Sequence, residues 1–497
     1  MASSKVGRRR FLKYIGTGAV AVGGAAAAHF LYNTGLGPRP EVMTTARTER
    51  SMSTTTQYLP ELRVSCAPDE NTSLRDLVFL DDQLFQPSAS VTGAVEPLTL
   101  AWYLDDYVNP ISTEYKPDPI ALAPGEHYPK LVVVDGAGRR REIRLPKVVK
   151  VGDPFIPLGK YGVAEHLRWS VPEYELPNVI RQIAEAGIQF VRMDFGWDLI
   201  ESAKGMFDFT KFDYIVSQLR ANNIHVLPIP YCSARWASSG NGPDSHVYPP
   251  RSLDEFGRFI GRVVEHYDAD GDNDALGRPK IDCYEIWNEE NITQFWRPMP
   301  DPAKYVELLK ASYYAAKYAN PRCCVVLGGL AGNGVDMGWE PAESKHFLQK
   351  VYDNGGKGFF DVVAIHPYVY PVPASSALRA LQTWVNAARG VMKRNHDDKP
   401  LWITEIGWST FPNAWNNPTV SEEEVAVWLT KVYTELKGVD KIFWHNFRDI
   451  GFNPELDRFF GYSGDNVEHH FGLTRSDGSP KPVYYAYKKV TAQSGSS

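Results

Sequence analysis

Strand-like apolar runs alternate with amphipathic helical stretches from Pro154 onwards, and this alternation constrains the fold more than any other feature of the chain. The pattern is typical of a parallel sheet whose strands are joined by covering helices. Eight strands are predicted, at 160–164, 190–192, 225–230, 283–287, 324–328, 362–366, 401–404 and 441–447. Eight such units predict an α/β fold, a (β/α)8 TIM barrel over 153–492, with 493–497 as a short tail.

The segment before this alternation has a different pattern. Between 61 and 152, short apolar runs such as 98–104 and 131–134 are separated by turn residues, and 143–151 alternates like an edge strand. No convincing helical pattern interrupts the segment, which predicts a small all-β, immunoglobulin-like sandwich domain ahead of the barrel. We favour a spacer or barrel-packing role for this domain, with sugar binding as the alternative.

Residues 1–43 resemble a twin-arginine export signal. Arginines at 8–10 precede a Gly/Ala-rich apolar run over 14–28, and this order is the secretory pattern. We therefore expect export across the cytoplasmic membrane by the twin-arginine route to an extracellular or cell-surface location, with 44–60 as a linker rich in Thr, Ser and Arg. Two alternatives stay open: a basic helix of the mature protein, and an N-terminal membrane anchor, because the apolar run continues to Tyr32.

The composition narrows the classes of partner and cofactor. A formal net charge of −6 argues against nucleic acid, while 13 Trp, 26 Tyr and 23 Phe suit a carbohydrate, since aromatic rings can cover the apolar faces of sugars. The five cysteines imply neither a disulfide framework nor a metal-binding pair. Glu468, His469 and His470 are potential ligands, but their spacing fits no zinc motif, so we expect a loop with histidines, no metal and no cofactor.

Two glutamates stand where predicted strands end. Glu289 follows the fourth strand and Glu405 follows the seventh. The carboxyl ends of barrel strands surround one central pocket, so the two side chains can meet there. Hydrolysis of a glycosidic bond needs two such carboxyl groups. For either glutamate alone a solvated or ion-paired carboxylate is the simpler interpretation, but the pair favours catalysis.

Glu285, Glu289 and Glu290 lie close together in the sequence, so the one that faces the pocket must be identified. If strand alternation persists, Glu285, Trp287 and Glu289 face one side of the strand and Glu290 faces the other. This favours Glu289 as the group in the pocket. It also predicts that Glu285 is a paired carboxylate inside the barrel.

Two short motifs carry a resemblance to a known group of enzymes. Trp-Asn-Glu ending at Glu289 and Ile-Thr-Glu ending at Glu405 resemble the glycoside hydrolase clan A barrels, especially families five and thirty-nine, over about 159–490. The resemblance implies that Glu289 is the catalytic acid/base and Glu405 the nucleophile of a retaining enzyme. The clan usually continues Asn-Glu-Pro, whereas Glu290 stands here in place of the proline.

The resemblance also implies supporting roles for five further residues, and the predicted strand-end loops add four tryptophans. Asn288 would bind the sugar 2-hydroxyl, with a strand-end cap as the alternative; Arg192 would keep the nucleophile ionised, unless it is an ordinary surface arginine. Tyr368 would orient the nucleophile, and His366 would line the sugar pocket unless it is structural. Trp444 would be the aromatic platform under the sugar. Four tryptophans in candidate strand-end loops complete the predicted site: Trp169, Trp236, Trp296 and Trp408.

The function expected from these residues is hydrolysis of β-linked polysaccharide or oligosaccharide of the glucan, xylan or mannan type. It would proceed by double displacement through a covalent glycosyl-enzyme. Transfer to a carbohydrate acceptor in place of water is one alternative. A surface carbohydrate-binding protein with impaired catalysis is another.

Overall fold

The computed structural model describes residues 59–332, 346–369, 374–412, 420–450 and 465–494. The export signal predicted over 1–43 and nearly all of the predicted linker lie outside the described residues. Within the described ranges, no helix combines the length and apolar character needed to cross a membrane.

The segment before the barrel is a small β domain, as predicted. Its strands are β1 (Arg63–Ala67), β2 (Val78–Phe79), β3 (Ser88–Thr92), β4 (Thr99–Leu104), β5 (Gly125–His127), β6 (Pro129–Val134), β7 (Arg140–Arg144) and β8 (Val148–Lys150), with one helical turn, α1 (Leu74–Leu77). They form the sheets β1-β3, β4-β6-β7 and β2-β8-β5. The run predicted as one strand over 143–151 belongs to β7 and β8 in two different sheets, because Pro146 between them offers no N–H to a ladder.

The packing of this domain is that of a sandwich attached to the barrel. Side chains of β1 and β3 pack on the β4-β6-β7 sheet around Trp102, which is fully buried. A second apolar cluster around Phe85 contacts Tyr318 of the barrel. The backbone N–H of Phe155 also donates to the carbonyl of Arg322 at 2.8 Å. These contacts agree with a barrel-packing role.

All eight predicted barrel strands are present and parallel. They are β9 (Tyr161–Ala164), β10 (Phe190–Gly196), β11 (His225–Tyr231), β12 (Cys283–Asn288), β13 (Cys324–Ala331), β14 (Val363–His366), β15 (Leu401–Ile406) and β16 (Lys441–His445). Hydrogen bonding follows the order β11-β10-β9-β16-β15-β14-β13-β12, and the end strands β11 and β12 lie side by side. The predicted TIM barrel is confirmed.

Helices cover the outside of the barrel. They are α2 (Leu167–Ser170), α3 (Leu176–Glu185), α4 (Trp197–Ile200), α5 (Thr210–Ala221), α6 (Leu253–His266), α7 (Pro302–Ala319), α8 (Phe347–Asp353), α9 (Ala374–Arg394), α10 (Glu422–Glu435) and α11 (Pro482–Ser494). Ser421 and Glu424 form a reciprocal capping box at the start of α10, which satisfies backbone N–H groups that the first helical turn leaves free.

The barrel interior changes from apolar to polar along its axis. The end of the barrel where the strands begin is filled by side chains such as Phe190, Leu227, Trp402 and Phe443. Towards the carboxyl ends of the strands, charged and polar residues replace them. The functional site lies at this polar end of the barrel. Its buried charges must be paired or hydrogen-bonded.

Candidate active site

Two glutamates meet at the carboxyl ends of the barrel strands. Glu289 directly follows β12, and Glu405 lies near the end of β15. One carboxylate oxygen of each glutamate and one ring nitrogen of His366 all lie within 4.8 Å of one another. The side chains of Glu289 and Glu405 are 13% and 15% exposed, so both are largely removed from water. The fold therefore brings together two residues that are far apart in the chain.

Arg192, on β10, is the charged centre beneath this pair. Its Nε and Nη2 donate to the two oxygens of Glu285, at 3.0 and 2.7 Å. Nη1 donates to Glu405, and Nη2 also donates to Oδ1 of Asn288 at 2.8 Å. Arg192 and Glu285 are buried, so each needs the other's charge. Glu285 is thus a paired carboxylate inside the barrel, and Arg192 lies against Glu405 where the resemblance placed it.

Glu405 is held in its ionised form. The hydroxyl of Tyr368 donates to Oε2 at 3.0 Å, and Arg192 donates to Oε1. Burial disfavours the carboxylate, but His366, which is charged at the acidic pH where Glu405 would take up a proton, and the permanently charged Arg192 outweigh burial. They hold the pKa of Glu405 well below its usual range. An ionised carboxylate at neutral pH can act as a nucleophile.

Glu289 has the opposite electrostatic environment. Burial, and then the nearby Glu405 carboxylate, raise the pKa of Glu289 well above its usual range. Glu289 therefore carries a proton at neutral pH. Two carboxyl groups whose pKa values are pushed apart by their surroundings are suited to act as an acid and a nucleophile in one pocket.

His366 is a supporting residue and not part of the pocket surface. Its ring is fully buried, with Nδ1 2.9 Å from Oε1 of Glu289 and Nε2 3.0 Å from Oγ1 of Thr404. Burial lowers the pKa of His366 to about 3, so the ring is neutral. A proton on Nε2 satisfies both contacts, because Nδ1 then accepts from protonated Glu289 while Nε2 donates to Thr404. The prediction that His366 lines the sugar pocket is corrected accordingly.

The backbone at the end of β12 explains why Glu289 reaches the pocket. Glu285 points into the barrel, but the ring of Trp287 packs outward, 5.3 Å from that of Trp296. Trp287 and Glu289 have φ angles of 73° and 45°, in a region that L side chains rarely adopt. Strand alternation thus breaks at Trp287, and the sequence argument that placed Trp287 on the same side as Glu285 is wrong.

Glu290 lies away from the pocket. Its side chain is fully buried beside Gly328, where an added Cβ would come within 2.3 Å of Glu290 Oε2. Burial raises the pKa of Glu290 to about 8, so the carboxyl group is mostly neutral at neutral pH. A confined carboxyl group of this kind cannot reach a substrate.

Trp444 does not form the predicted platform under the sugar. Trp444 is fully buried and its ring lies 5.6 Å from that of Trp408, which is 2% exposed. Both belong to the core between strands and helices. The next residue, His445, faces the site instead, with its ring 6.4 Å from that of Tyr368. Successive residues of a strand face opposite sides, so Trp444 and His445 cannot both face the pocket.

The other three predicted tryptophans differ in their exposure. Trp296 is 1% exposed and belongs to the core, which corrects its assignment. Trp236 is half-buried and donates its Nε1 proton to the carbonyl of Glu201 at 2.9 Å. Trp169 is half-buried, with the guanidinium of Arg168 4.5 Å from its ring centre. The rings of Trp236 and Trp169 therefore already contact other parts of the protein. Their role in sugar binding stays a prediction.

His166, Asp194 and His445 also belong to the site, although no sequence motif identifies them. Nδ1 of His166 lies 2.5 Å from Oδ2 of Asp194. Burial disfavours charge on His166, but Asp194 outweighs it and raises the pKa of His166 to about 9. Burial lowers the pKa of His445 to about 4, so this ring is neutral. The signal for all three is their position at a strand end, since Asp194 shares the face of Arg192 two residues earlier.

Glu468 is a further carboxyl group at the site. It lies in the helical turn Val467–His470, which follows β16 in the chain. Burial and then the Glu405 carboxylate raise the pKa of Glu468 to about 7. No strand places Glu468, so the only signal in the sequence is its cluster with His469 and His470.

Glu289, His366 and Glu405 also have the donor types of a metal site. Glu405, however, already accepts from Arg192 and Tyr368, and the guanidinium would repel a cation at the same place. The geometry fits acid–base and nucleophilic chemistry on a glycosidic bond better than metal binding.

Comparison with known proteins agrees with this geometry. Residues 164–496 match the model of glycosyl hydrolases family 39. A family 39 glycoside hydrolase of Bacteroides cellulosilyticus WH2 shares the fold, with a TM-score of 0.51 and 23% identity over 84% of this chain and 81% of that one. A family 39 enzyme of Xanthomonas axonopodis pv. citri does so with a TM-score of 0.51 and 20% identity over 69% and 68% of the two chains.

A third structure, described as a glucosidase from Croceicoccus marinus, has a TM-score of 0.51 and 16% identity, covering 69% of each chain. A comparison with curated protein sequences gives no significant match. These structural likenesses show the fold, and the family match extends over about two thirds of the chain. The chain therefore belongs to family 39 of the glycosyl hydrolases and is a glycosidase that hydrolyses O-glycosyl bonds.

Proposed function

We propose that the protein cleaves β-glycosidic bonds with retention of anomeric configuration, with Glu289 as acid/base and Glu405 as nucleophile. The observation that carries this proposal is that oxygens of the two carboxyl groups lie within 4.8 Å of each other. Retaining enzymes have carboxyl groups about 5 to 5.5 Å apart, whereas inverting enzymes leave about 6.5 to 9.5 Å for a water molecule.

In the first step, protonated Glu289 gives its proton to the glycosidic oxygen while Glu405 attacks the anomeric carbon from the opposite face. Departure of the leaving group creates a glycosyl-enzyme ester on Glu405. The proton can move because Glu289 begins with a raised pKa, and the attack can occur because Glu405 begins ionised. Tyr368 donates a hydrogen bond to the attacking carboxylate and fixes its orientation.

In the second step, ionised Glu289 takes a proton from water, which then attacks the ester and releases the sugar. Asn288 is placed to bind the sugar during both steps. Its Oδ1 accepts from Arg192, which leaves its amide protons for a sugar oxygen such as the 2-hydroxyl. A contact to that hydroxyl can strengthen in the transition state.

The proposed substrate is a β-linked polysaccharide or its oligomers, of the glucan, xylan or mannan type. The negative net charge of the chain agrees with an uncharged polymer rather than a polyanion. The likeness to a structure described as a glucosidase points the same way.

The test is to incubate the protein with aryl β-glycosides and β-linked polysaccharides and follow the product anomers by proton NMR. Release of the β-anomer first supports retention and identifies the sugar. Release of the α-anomer first would rule out Glu405 as nucleophile. No cleavage of any member of the panel would favour the alternative of a carbohydrate-binding protein.

We further propose export by the twin-arginine route to the cell surface or the medium. The support is the arginine cluster at 8–10 followed by an apolar run. Replacing Arg9 and Arg10 by Lys should leave the protein in the cytoplasmic fraction. Unchanged export of that variant would contradict the proposal, and wild-type protein that stays with the membrane fraction would indicate an N-terminal anchor.

A further inference from the structure

Both cations that face the catalytic carboxyl groups are already paired. Arg192 is shared between Glu285 and Glu405, and His166 is bonded to Asp194 at 2.5 Å. A paired cation has little free charge to offer to an anionic group on a substrate. Among the residues that the structure describes, these ion pairs hold the positive charge of the pocket.

Glu468, in contrast, is an acid without a bonded counter-ion. Burial and the Glu405 carboxylate raise its pKa more than the charged His166 lowers it. Its carboxylate forms no hydrogen bond or salt bridge within the described ranges. The side chain is half-buried, and its charge acts on Glu289, Glu405 and Tyr368. Glu468 is therefore an acid without a bonded cation, on a segment that packs against Tyr368 beside the catalytic pair.

The backbone that carries Glu468 is held against the wall of the site. The N–H of Glu468 donates to Oδ1 of Asn466 at 2.9 Å, and the hydroxyl of Ser409 donates to the carbonyl of Val467 at 2.7 Å. Val467 and Phe471 form an apolar cluster with Tyr368. These contacts fix the position of Glu468 before a substrate arrives.

We propose that Glu468 selects the sugar bound next to the catalytic pair: its carboxylate accepts hydrogen bonds from hydroxyl groups of an uncharged sugar and excludes uronic acids. The inference rests on the proposed function and specifies its substrate class. A carboxylate accepts stronger hydrogen bonds from hydroxyls than a neutral oxygen does. A uronate in the same place would add a further negative charge in a partly buried pocket, where repulsion is weakly screened.

The test compares Glu468→Gln with the wild type at pH 8, where Glu468, with a pKa of about 7, is mostly ionised. The substrates are the fastest uncharged para-nitrophenyl β-glycoside of the panel and the para-nitrophenyl β-glucuronide and β-galacturonide. We expect the wild type to prefer the uncharged substrate. Glu468→Gln should lower kcat/KM for that substrate roughly 10- to 100-fold while leaving or raising the value for the uronides, because glutamine keeps the size but removes the charge.

Asp465→Asn is the matched control, because Asp465 lies in the same segment, 66% exposed and bonded to His470. That variant should leave the preference unchanged. A change of preference is a readout that mere loss of folding would not produce. A preference that stays within twofold of wild type in Glu468→Gln would overturn the inference, as would a wild type that cleaves uronides as fast as uncharged glycosides.

Failure of the proposed function is distinguished by labelling the wild type with fluoro-sugar inactivators that trap the glycosyl-enzyme. A label on Glu405 with an unchanged preference in Glu468→Gln rejects only the role of Glu468. Absence of both label and hydrolysis rejects the retaining mechanism, and the role of Glu468 with it.

Discussion

Nδ1 of His366 lies 2.9 Å from Oε1 of Glu289, inside a barrel wall where the imidazole has no exposure to solvent. The same ring contacts Thr404, so His366 fixes the position of Glu289 without facing the substrate. The carboxyl group to which we assign the acid role is thus held in position by a neutral, buried imidazole.

His366→Ala should therefore slow substrates with poor leaving groups more than activated ones. The reason is that loss of the imidazole misplaces the acid, and only poor leaving groups depend strongly on protonation. We expect kcat/KM to fall roughly tenfold or more for alkyl glycosides, since the variant loses a hydrogen bond to a buried group. His225→Gln, at the opposite end of the barrel, is the control. Equal losses on both kinds of substrate would contradict a positioning role.

Replacing the catalytic glutamates should give two different patterns. Glu405→Ala should abolish turnover even of dinitrophenyl glycosides, because no covalent intermediate can form. Glu289→Ala should lower kcat by about 10²- to 10⁴-fold for unactivated glycosides and by much less for dinitrophenyl glycosides. Steady-state kinetics on a series of leaving groups distinguishes the two. The Glu289 pattern in Glu290→Ala would show that the assignment between these neighbours is wrong.

The pH dependence of kcat/KM should be bell-shaped. The proposed mechanism needs ionised Glu405 and protonated Glu289, so activity should be lost as pH falls through the lowered pKa of Glu405 and as pH rises through the raised pKa of Glu289. Arg192→Met removes the permanent positive charge and should move the acid limb to higher pH. The variant should also lose about 3 to 5 kcal/mol of stability, because Glu285 is left unpaired. An unmoved acid limb would exclude Arg192 as the cause.

Glu290→Gln should stabilise the protein at alkaline pH. The folded-state pKa of Glu290 is about 8, above the value of about 4.5 for the unfolded chain, so the folded state binds more protons between these pH values. This carboxyl group therefore makes the wild type lose stability as pH rises, by up to about 1.4 kcal/mol per pH unit. Urea unfolding at pH 5 and pH 8 should show an advantage of Glu290→Gln that grows with pH. A constant difference would refute the raised pKa.

Trp444→Phe should affect stability and leave substrate binding unchanged. Trp444 packs in the core against Trp408, so the smaller ring leaves a cavity that costs roughly 1 to 3 kcal/mol. KM should stay within twofold of wild type, measured with an aryl glycoside alongside urea unfolding. A large rise in KM at unchanged stability would restore Trp444 as a sugar platform.

Local sequence patterns were sufficient to predict the architecture. The eight strands and the β domain before the barrel follow from hydrophobic period and turn residues, which act over a few residues. The two strand-end glutamates could be found in the same way, because barrel topology brings strand ends together whatever the loops do.

The tertiary structure decided which side chains face the substrate. Trp287 lies outside the barrel because its backbone adopts a positive φ, and strand alternation cannot anticipate such a break. Trp444, which was expected under the sugar, lies in the core, and His445 faces the site instead, since the strand register, and not the residue type, sets the face. The opposite pKa directions of Glu289 and Glu405 likewise depend on burial and on the field of Arg192, which exist only once distant segments have packed together.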